Sequence, residues 1–344
     1  MRDSNQDRLT QDLPVGGQAV IEGVMMRAEG KIVTAVRSGD DIVVKADDHV
    51  AWTERLNCRR IPILRGAIAF FEMLVIGLRS LNFSADMAMA TEGKGDAHRE
   101  RQAQPRWQAT IMLTATIILS LAVGIGVFFF LPLAAAQATG AERDALQFNL
   151  IAGGIRAILL VGYMWLISCW SEIRRVFEYH GAEHKSIFTF EAGVDLTVEE
   201  ARGFGRLHPR CGTSFLLIVV LLSIFLFAVA DSLFADFVAR PQTLLERFAT
   251  HLSVLPLVSG LSFELLKLSG RKRNHPLTRL LIAPGLWLQR ITTREPSDDQ
   301  LEVALVALLH ALGRPSPVGY SLYDEAAGGL EAMVAVPANE GGSE

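Results

Sequence analysis

The sequence predicts a mostly α-helical, polytopic membrane protein with about four transmembrane helices, a small N-terminal β meander and interfacial helices. Half of its 344 residues are hydrophobic and 20% are charged, and the apolar residues are concentrated in long blocks. An apolar stretch of about 18 residues or more is typical of a transmembrane helix. The short β-branched runs near the N-terminus, in contrast, are typical of strands.

The N-terminal segment predicts a disordered tail followed by a β-rich region. Residues 1–15 begin with the polar run MRDSNQDRLTQD, which lacks the apolar core of a signal peptide. In residues 16–58, short β-branched runs are separated by Glu29-Gly30 and Gly39-Asp40. Such dipeptides favour tight turns between antiparallel strands. We therefore expect a small cytosolic meander here.

The next segment, residues 59–91, is apolar but carries charges along its length. Arg65, Glu72 and Arg79 are spaced through its middle, where a full span would place them in the hydrocarbon core. An interfacial or re-entrant helix is therefore predicted. Residues 92–107 are polar and predict a linker.

Four later segments are long and apolar enough to cross a bilayer. The second contains Arg156, about 10 Å along the helix from Asn149, and its side chain is expected to extend outward to the membrane surface. The first two spans lie in residues 108–170 and the last two in residues 213–268. They are Gln108–Ala136, Asn149–Trp170, Gly212–Ala230 and Phe248–Leu268.

The flanking charges predict the orientation, because Lys and Arg are enriched in cytosolic loops. The loops expected outside contain few of them: Arg143, Arg240 and Arg247. Both termini and the loop between the second and third spans are therefore predicted to be cytosolic. The positive residues on that side are Arg99, Arg101, Arg106, Arg174, Arg175, Arg206, Arg210, Arg271, Lys272 and Arg273.

Residues 269–313 predict cytosolic or interfacial helices. Pro276–Ile291 is apolar but interrupted by Pro284-Gly285, which favours an interfacial hairpin. Ser297 and Gln300 have capping-box spacing and predict a helix that Gly313 ends. Residues 314–344 are expected to form a tail.

The candidate site lies in the predicted cytosolic loop, residues 171–212, which contains three of the eight histidines. His180 and His184 are four residues apart, so on a helix both imidazoles can reach one cation. His208 and Cys211 are three apart, a frequent spacing of metal ligands. The loop therefore predicts a divalent metal site, with zinc as the ion that suits these four residues.

Glu183 lies between the two helical histidines, in the form H-x-x-E-H. In the inverzincin arrangement of these letters, the histidines bind zinc and the glutamate is the general base. That arrangement needs a further acidic ligand downstream, so Glu191 and Glu264 are alternatives to His208 and Cys211 as third and fourth ligands. Glu183 is the predicted catalytic residue.

Four blocks of sequence resemble the YqhQ-like family of bacterial membrane proteins, whose members are described as predicted metal-dependent enzymes. The resemblance implies a multi-span protein of the bacterial cytoplasmic (inner) membrane with a metal site at His180, His184, His208 and Cys211. It extends from about Gly16 to Leu312. The blocks are GGQAVIEGVMMR (Gly16–Arg27), HGAEHK (His180–Lys185), HPRCGTSF (His208–Phe215) and APGLWLQRITTREP (Ala283–Pro296).

Two classes of function remain open from the sequence. The first is a metal-dependent hydrolase acting on a lipid or peptide at the cytosolic face of the lipid bilayer. The second is a non-enzymatic scaffold, assembly factor or transporter-like protein with a structural zinc ion. The lack of interleaved basic and aromatic residues argues against nucleic acid as a partner. Arg290 and Arg294 are candidates for an anionic head group, although an anchoring role at the interface is favoured.

Overall fold

A computed structural model gives the fold. It describes residues 15–28, 30–91, 106–141, 144–238, 242–271, 276–324 and 329–334. The predicted tail before Val15 and most of the predicted linker, residues 92–105, lie outside this range. So do His98 and His275.

The elements follow the chain as an N-terminal meander, a set of long helices and a last pair of strands. The strands are β1 (Gly16–Val20), β2 (Gly23–Ala28), β3 (Lys31–Ser38), β4 (Asp41–Asp48), β5 (Tyr320–Asp324) and β6 (Gly329–Val334). The helices are α1 (Trp52–Arg55), α2 (Leu64–Thr91), α3 (Arg106–Ile125), α4 (Leu131–Ala138), α5 (Ala145–Ile167), α6 (Ser171–Ala192), α7 (Val198–Arg202), α8 (Gly212–Val238), α9 (Leu244–Arg271), α10 (Pro276–Thr292) and α11 (Asp298–Ala311). A π-helical turn, Gly126–Phe130, joins α3 to α4.

Four helical segments in the described chain have the length and composition to cross a membrane, which confirms the predicted fold class. They bury few of their side chains against the rest of the protein, as expected of helices whose outer surface faces lipid. Close packing between them uses glycine. A Cβ on Gly153 of α5 would lie 2.1 Å from Cγ1 of Ile224 on α8. The segments are Thr114–Ala138, Ala145–Ile167, Gly212–Val238 and Leu244–Leu268.

The sheet has six strands in sequence order, and each neighbouring pair is antiparallel except β4 and β5, which are parallel. The meander of β1 to β4 confirms the sequence prediction. Its turns contain Gly30 at φ 82° and Gly39 at φ 64°, a left-handed conformation that glycine adopts without steric cost. These local signals were strong enough to predict the strands from sequence.

The sheet is covered on both faces. Alternating side chains of its strands, such as Val24 and Met26, pack in one core with α6 and α11. Met25, on the opposite face, packs with Ile76 and Phe83 of α2. The period of two in a strand produces this division. Helix α6, which contains the candidate site, is therefore held against the sheet.

Helix α2 connects the sheet to the helical bundle, and two of its charges, Arg65 and Glu72, have polar partners. At its start, Arg65 donates two hydrogen bonds to Glu264 of α9, at 2.6 and 2.5 Å. Farther along, the buried carboxylate of Glu72 accepts from the backbone of Trp52 and contacts His49 Nε2, both at 2.7 Å. Contacts with polar partners explain how these charges are accommodated in an otherwise apolar helix.

Two C-terminal predictions were wrong. Pro276–Thr292 is one continuous helix, α10, rather than a hairpin, although Pro284 lies inside it. The adjacent Gly285 packs closely on α8, where a Cβ would lie 2.5 Å from Oγ of Ser214, so the Pro-Gly pair serves packing rather than a turn. The tail expected after residue 314 instead contributes β5 and β6, because β5 pairs with the free edge of β4.

The expected outward position of Arg156 was also wrong. Its side chain is buried among the spans, and its guanidinium lies over the rings of Phe129 and Phe227 at 5.0 and 5.3 Å. Cation–π contacts with these rings offset part of the cost of burial. By contrast, the predicted capping box at Ser297 and Gln300 is confirmed.

The contact between α2 and α9 depends on glycine, which gives a test of the fold. A Cβ on Gly260 would lie 2.2 Å from the carbonyl oxygen of Ile63, whereas nothing lies within 4 Å of a Cβ on Gly154. We expect Gly260→Ala to lower the free energy of unfolding by about 1–3 kcal/mol. Gly154→Ala should leave it unchanged or raise it by up to about 1 kcal/mol. Denaturant unfolding in detergent measures both, and equal values would contradict the packing.

Candidate metal centre

Helix α6 places the candidate ligands in the protein interior. Nearly every residue from Phe177 to Phe190 is buried, even though the helix is rich in polar residues. Its middle is crossed by the segment between α10 and α11. A Cβ on Gly181 would lie 2.0 Å from the carbonyl oxygen of Arg294, and the Arg294 N–H donates to the Phe177 carbonyl at 2.8 Å. Glycine at position 181 therefore permits this crossing.

His180, His184 and Cys211 come together in one buried cluster. One potential ligand atom of each lies within 4.8 Å of the other two. Nε2 of His180 is 3.1 Å from Sγ of Cys211. The helix supplies the two imidazoles through its four-residue spacing, and the thiol precedes the first residue of α8. This places the cluster where the third span begins.

Backbone carbonyls orient the two imidazoles. Nδ1 of His180 lies 2.8 Å from the carbonyl oxygen of Thr292, and Nδ1 of His184 lies 2.6 Å from that of Arg206. A proton on each Nδ1 leaves Nε2 as an acceptor toward the cluster. Nε2 of His184 is buried and has no hydrogen-bond partner. An unused buried lone pair beside an imidazole and a thiol fits a zinc-type ion.

Glu183 lies beside both imidazoles. Its Oε2 is 3.8 Å from Nε2 of His180 and 4.0 Å from Nε2 of His184. Burial raises the pKa of Glu183 to about 7, while the charge of His180 and the Gly17 N–H oppose the shift. A Cβ on Gly17 would lie 2.9 Å from Cγ of Glu183, so glycine in β1 makes room for this carboxylate.

His208 lies to the side of the cluster rather than in it. Its ring centroid is 5.6 Å from that of His184, and its Nε2 is 3.4 Å from Oε1 of Glu191. Burial lowers the pKa of His208 to about 4, although Glu191 acts in the opposite direction. Gln289 holds the backbone of His208 by accepting from its N–H and donating to its carbonyl, each at 2.8 Å.

The two alternative ligands are also directed elsewhere. Glu191, at the last turn of α6, ion-pairs with Arg210 and approaches His208. Glu264 ion-pairs with Arg65. The cluster of His180, His184 and Cys211 therefore has Glu183 as its adjacent carboxylate.

Comparison with known proteins identifies the family. A model described as a protein of unknown function, DUF1385, matches residues 61–314. The chain is also 34% identical over 296 residues to the protein called "Uncharacterized protein YqhQ" of Bacillus subtilis (strain 168), covering 84% of this chain and 89% of that protein. The chain belongs to the DUF1385 family. No solved structure matches it.

The four sequence blocks that resemble the YqhQ-like family meet around the candidate metal centre. The first supplies Gly17 beside Glu183, and the second and third supply the histidines of α6 and Cys211. The fourth supplies the Thr292 carbonyl that orients His180.

Several residues of the site were not predicted as such from the sequence. These residues position the predicted site residues or make room for them: Gly17, Gly181, Arg206, Gln289 and Thr292. Arg206 and Thr292 act through backbone carbonyls, which carry no side-chain signature. Four of the five nevertheless lie in the blocks that resemble the YqhQ-like family. Their place in those blocks was the one sequence signal that could have indicated a role at the site.

The role of Gln289 can be tested with its neighbour as control. Gln289→Met keeps the approximate volume but leaves the buried N–H and carbonyl of His208 without their partner, so we expect a loss of about 2 kcal/mol or more in the free energy of unfolding. The adjacent Arg290 is exposed, and Arg290→Met should change it by less than about 0.5 kcal/mol. Denaturant unfolding in detergent measures both. Equal stability of the two variants would contradict this role.

Proposed function

We propose that this protein is a metal-dependent hydrolase of the membrane, with a zinc ion held by His180, His184 and Cys211. The observation that carries the proposal is the buried carboxylate of Glu183, within 4.0 Å of Nε2 of both histidines. A structural site needs no such carboxylate. Three protein ligands also match catalytic zinc sites, which keep one position open, whereas structural sites are usually closed by four.

In this proposal each residue has a distinct task. When bound, zinc supplies Lewis acidity that makes water a nucleophile near neutral pH. Glu183 accepts the proton from the attacking water and donates it to the leaving group. Its position beside both histidines favours this exchange, because a general base must lie within reach of the water that it deprotonates. The carbonyls of Thr292 and Arg206 hold the ligand imidazoles in one tautomer.

The position of the cluster suggests the substrate class. Cys211 directly precedes α8, and α6 follows α5 after three residues, so the cluster lies at the boundary between the spans and the sheet-containing part. A hydrolase there acts on a lipid or a membrane-associated peptide. We place this end of the bundle on the cytosolic side of a bacterial inner membrane. Most of the Lys and Arg residues that flank the spans lie on this side.

One observation favours the second candidate, a non-enzymatic scaffold, assembly factor or transporter-like protein with structural zinc. The cluster is nearly closed to solvent, with His180 9%, His184 1% and Cys211 6% exposed. In that case zinc would fasten α6 to the start of α8, and Glu183 would only balance charge.

Metal content tests the ligand assignment. We expect the purified protein to hold about one zinc ion and His180→Ala to lose most of it, because one of three ligands is removed. His310→Ala serves as control, since His310 contacts Tyr320 instead. Elemental analysis of the detergent-purified protein measures the ion. A wild type without transition metal, or a His180→Ala variant with as much as wild type, would contradict the assignment.

Glu183→Gln separates the two candidate functions. Gln keeps the size and hydrogen bonding but cannot accept a proton at neutral pH. A catalytic role predicts retained metal and retained thermal stability, with function reduced by ~10²-fold or more. Complementation of a deletion phenotype measures function, and Glu172→Gln, an exposed position on the same helix, is the control. Full complementation by Glu183→Gln would remove the hydrolase from consideration.

Orientation is tested by labelling with an impermeant thiol reagent. The exposed Cys169 is first replaced by Ser, whereas Cys58 and Cys211 are buried and stay. Ala138 and Glu199 are exposed at opposite ends of the bundle. We expect Ala138→Cys to be labelled in intact cells and Glu199→Cys only after permeabilisation. The reverse pattern would invert the orientation.

A further inference from the structure

A second group of buried polar side chains lies inside the bundle of spans, distant from the metal centre. Asp231 of α8 is its middle member and lies about 28 Å along the helix from Gly212. Asp231 accepts from Arg247 at 3.0 Å and from Asn149 at 2.8 Å, and contacts His251 at 3.0 Å. Each of these side chains is 4% exposed or less. Asp231 therefore has partners from two neighbouring helices.

Arg156 lies near this group but has no such partner. Its side chain is 6% exposed, and Nε, Nη1 and Nη2 are all buried without a hydrogen-bond partner. It lies in the middle of α5, about 16 Å from either end. Its contacts are the faces of Phe129 and Phe227. Five N–H donors of a charged group are thus left unused where water is scarce.

The carboxylate nearest to Arg156 in the described cluster is that of Asp231, which bonds Arg247. Arg156 itself donates no hydrogen bond. A charge near the bilayer centre that lacks a hydrogen-bond partner is costly, and such residues usually serve a function. Two further polar atoms, Nδ1 of His251 and Oδ1 of Asn149, are also buried without partners. The cluster thus has unused hydrogen-bonding capacity around the guanidinium of Arg156.

The two aromatic rings that contact Arg156 lie in unusual local structure. Phe129 belongs to the π-helical turn Gly126–Phe130, and such turns frequently occur at functional sites. Phe227 stacks on the imidazole of His251, with centroids 4.1 Å apart and planes 7° apart. Both aromatic rings that contact Arg156 are therefore held by the cluster or by an irregular backbone.

We propose that this cluster is a binding site for a phosphate-class oxyanion, with Arg156 as its principal ligand. A guanidinium binds phosphate through two parallel hydrogen bonds, and an anion there would use the donors of Arg156 that have no partner. Asp231 and Arg247 form the neutral pair that supports the site. The phosphate is either the head group of an amphiphile or a free ion, and both present the same oxygens to Arg156.

Thermal unfolding of the full-length protein in neutral detergent tests the proposal. The probes are inorganic phosphate and dihexanoyl phosphatidic acid, with dihexanoyl glycerol, which lacks the phosphate, and chloride at matched ionic strength as controls. We expect a saturable rise in Tm of several degrees with at least one phosphate probe and no saturable rise with the controls. A rise with phosphatidic acid alone assigns an amphiphile, and a rise with both probes assigns the oxyanion itself.

The variants locate the site. Arg156→Met should lose the rise in Tm, whereas Arg174→Met, at an exposed position of α6, should keep it. Arg156→Lys retains the positive charge but lacks the planar guanidinium that forms two parallel hydrogen bonds, so it should weaken the apparent affinity for phosphate by about tenfold. If Arg156→Met does not fold, the affinity of Arg156→Lys tests the proposal. The proposal is overturned if neither phosphate probe stabilises the wild type, if Arg156→Met keeps the rise, or if Arg156→Lys binds as tightly as wild type.

Discussion

The burial of the polar helix α6 is the constraint on which the arrangement of the other elements depends. A polar group buried without a hydrogen-bond partner costs several kcal/mol in an apolar interior, and α6 buries two histidines, a glutamate and a lysine within two turns. The Lys185 ammonium donates to the Arg202 carbonyl at 3.1 Å and ion-pairs with Glu295. The histidines use the carbonyls of Arg206 and Thr292. Satisfying these groups therefore draws the segments before α8 and after α10 around one helix.

The sequence predicted those parts of the fold that depend on local chemistry. The spans follow from apolar length, the meander from turn glycines, and the start of α11 from Ser297 and Gln300. The continuous α10 and the strands β5 and β6 depend on distant partners. Gly285 is explained only by its contact with Ser214, and β5 only by the edge of β4. A Pro-Gly pair has the same local appearance in a turn and in a closely packed helix.

The candidate site also combines residues whose position local sequence predicted with residues whose position depends on distant contacts. His180 and His184 were predictable because helical spacing alone directs them to one point, and Cys211 because its loop must return to the membrane beside them. His208 rested on equal sequence evidence, yet Gln289 and Glu191 hold it to one side. A three-residue spacing in a loop does not determine direction, because the loop conformation depends on contacts that the spacing does not contain. The glycines at 17 and 181 act by lacking a side chain, so no local pattern indicates their role.

Most buried charged side chains in the described structure have hydrogen-bond or ion-pair partners. A buried polar group without a partner is therefore informative. Glu72 is 1% exposed but contacts Trp52 N–H, His49 and Arg27, so it needs no ligand to explain it. Asp231 is compensated in the same way. Arg156 and Nε2 of His184 are buried without partners, one inside the spans and the other at their boundary. Unsatisfied buried groups are rare in folded proteins. Here several of them lie beside these two groups: Nε2 of His208 near His184, and Nδ1 of His251 and Oδ1 of Asn149 in the cluster near Arg156. The two groups have opposite chemistry, a cationic donor and a neutral lone pair, and for this reason the proposed ligand is an anion at the first and a cation at the second.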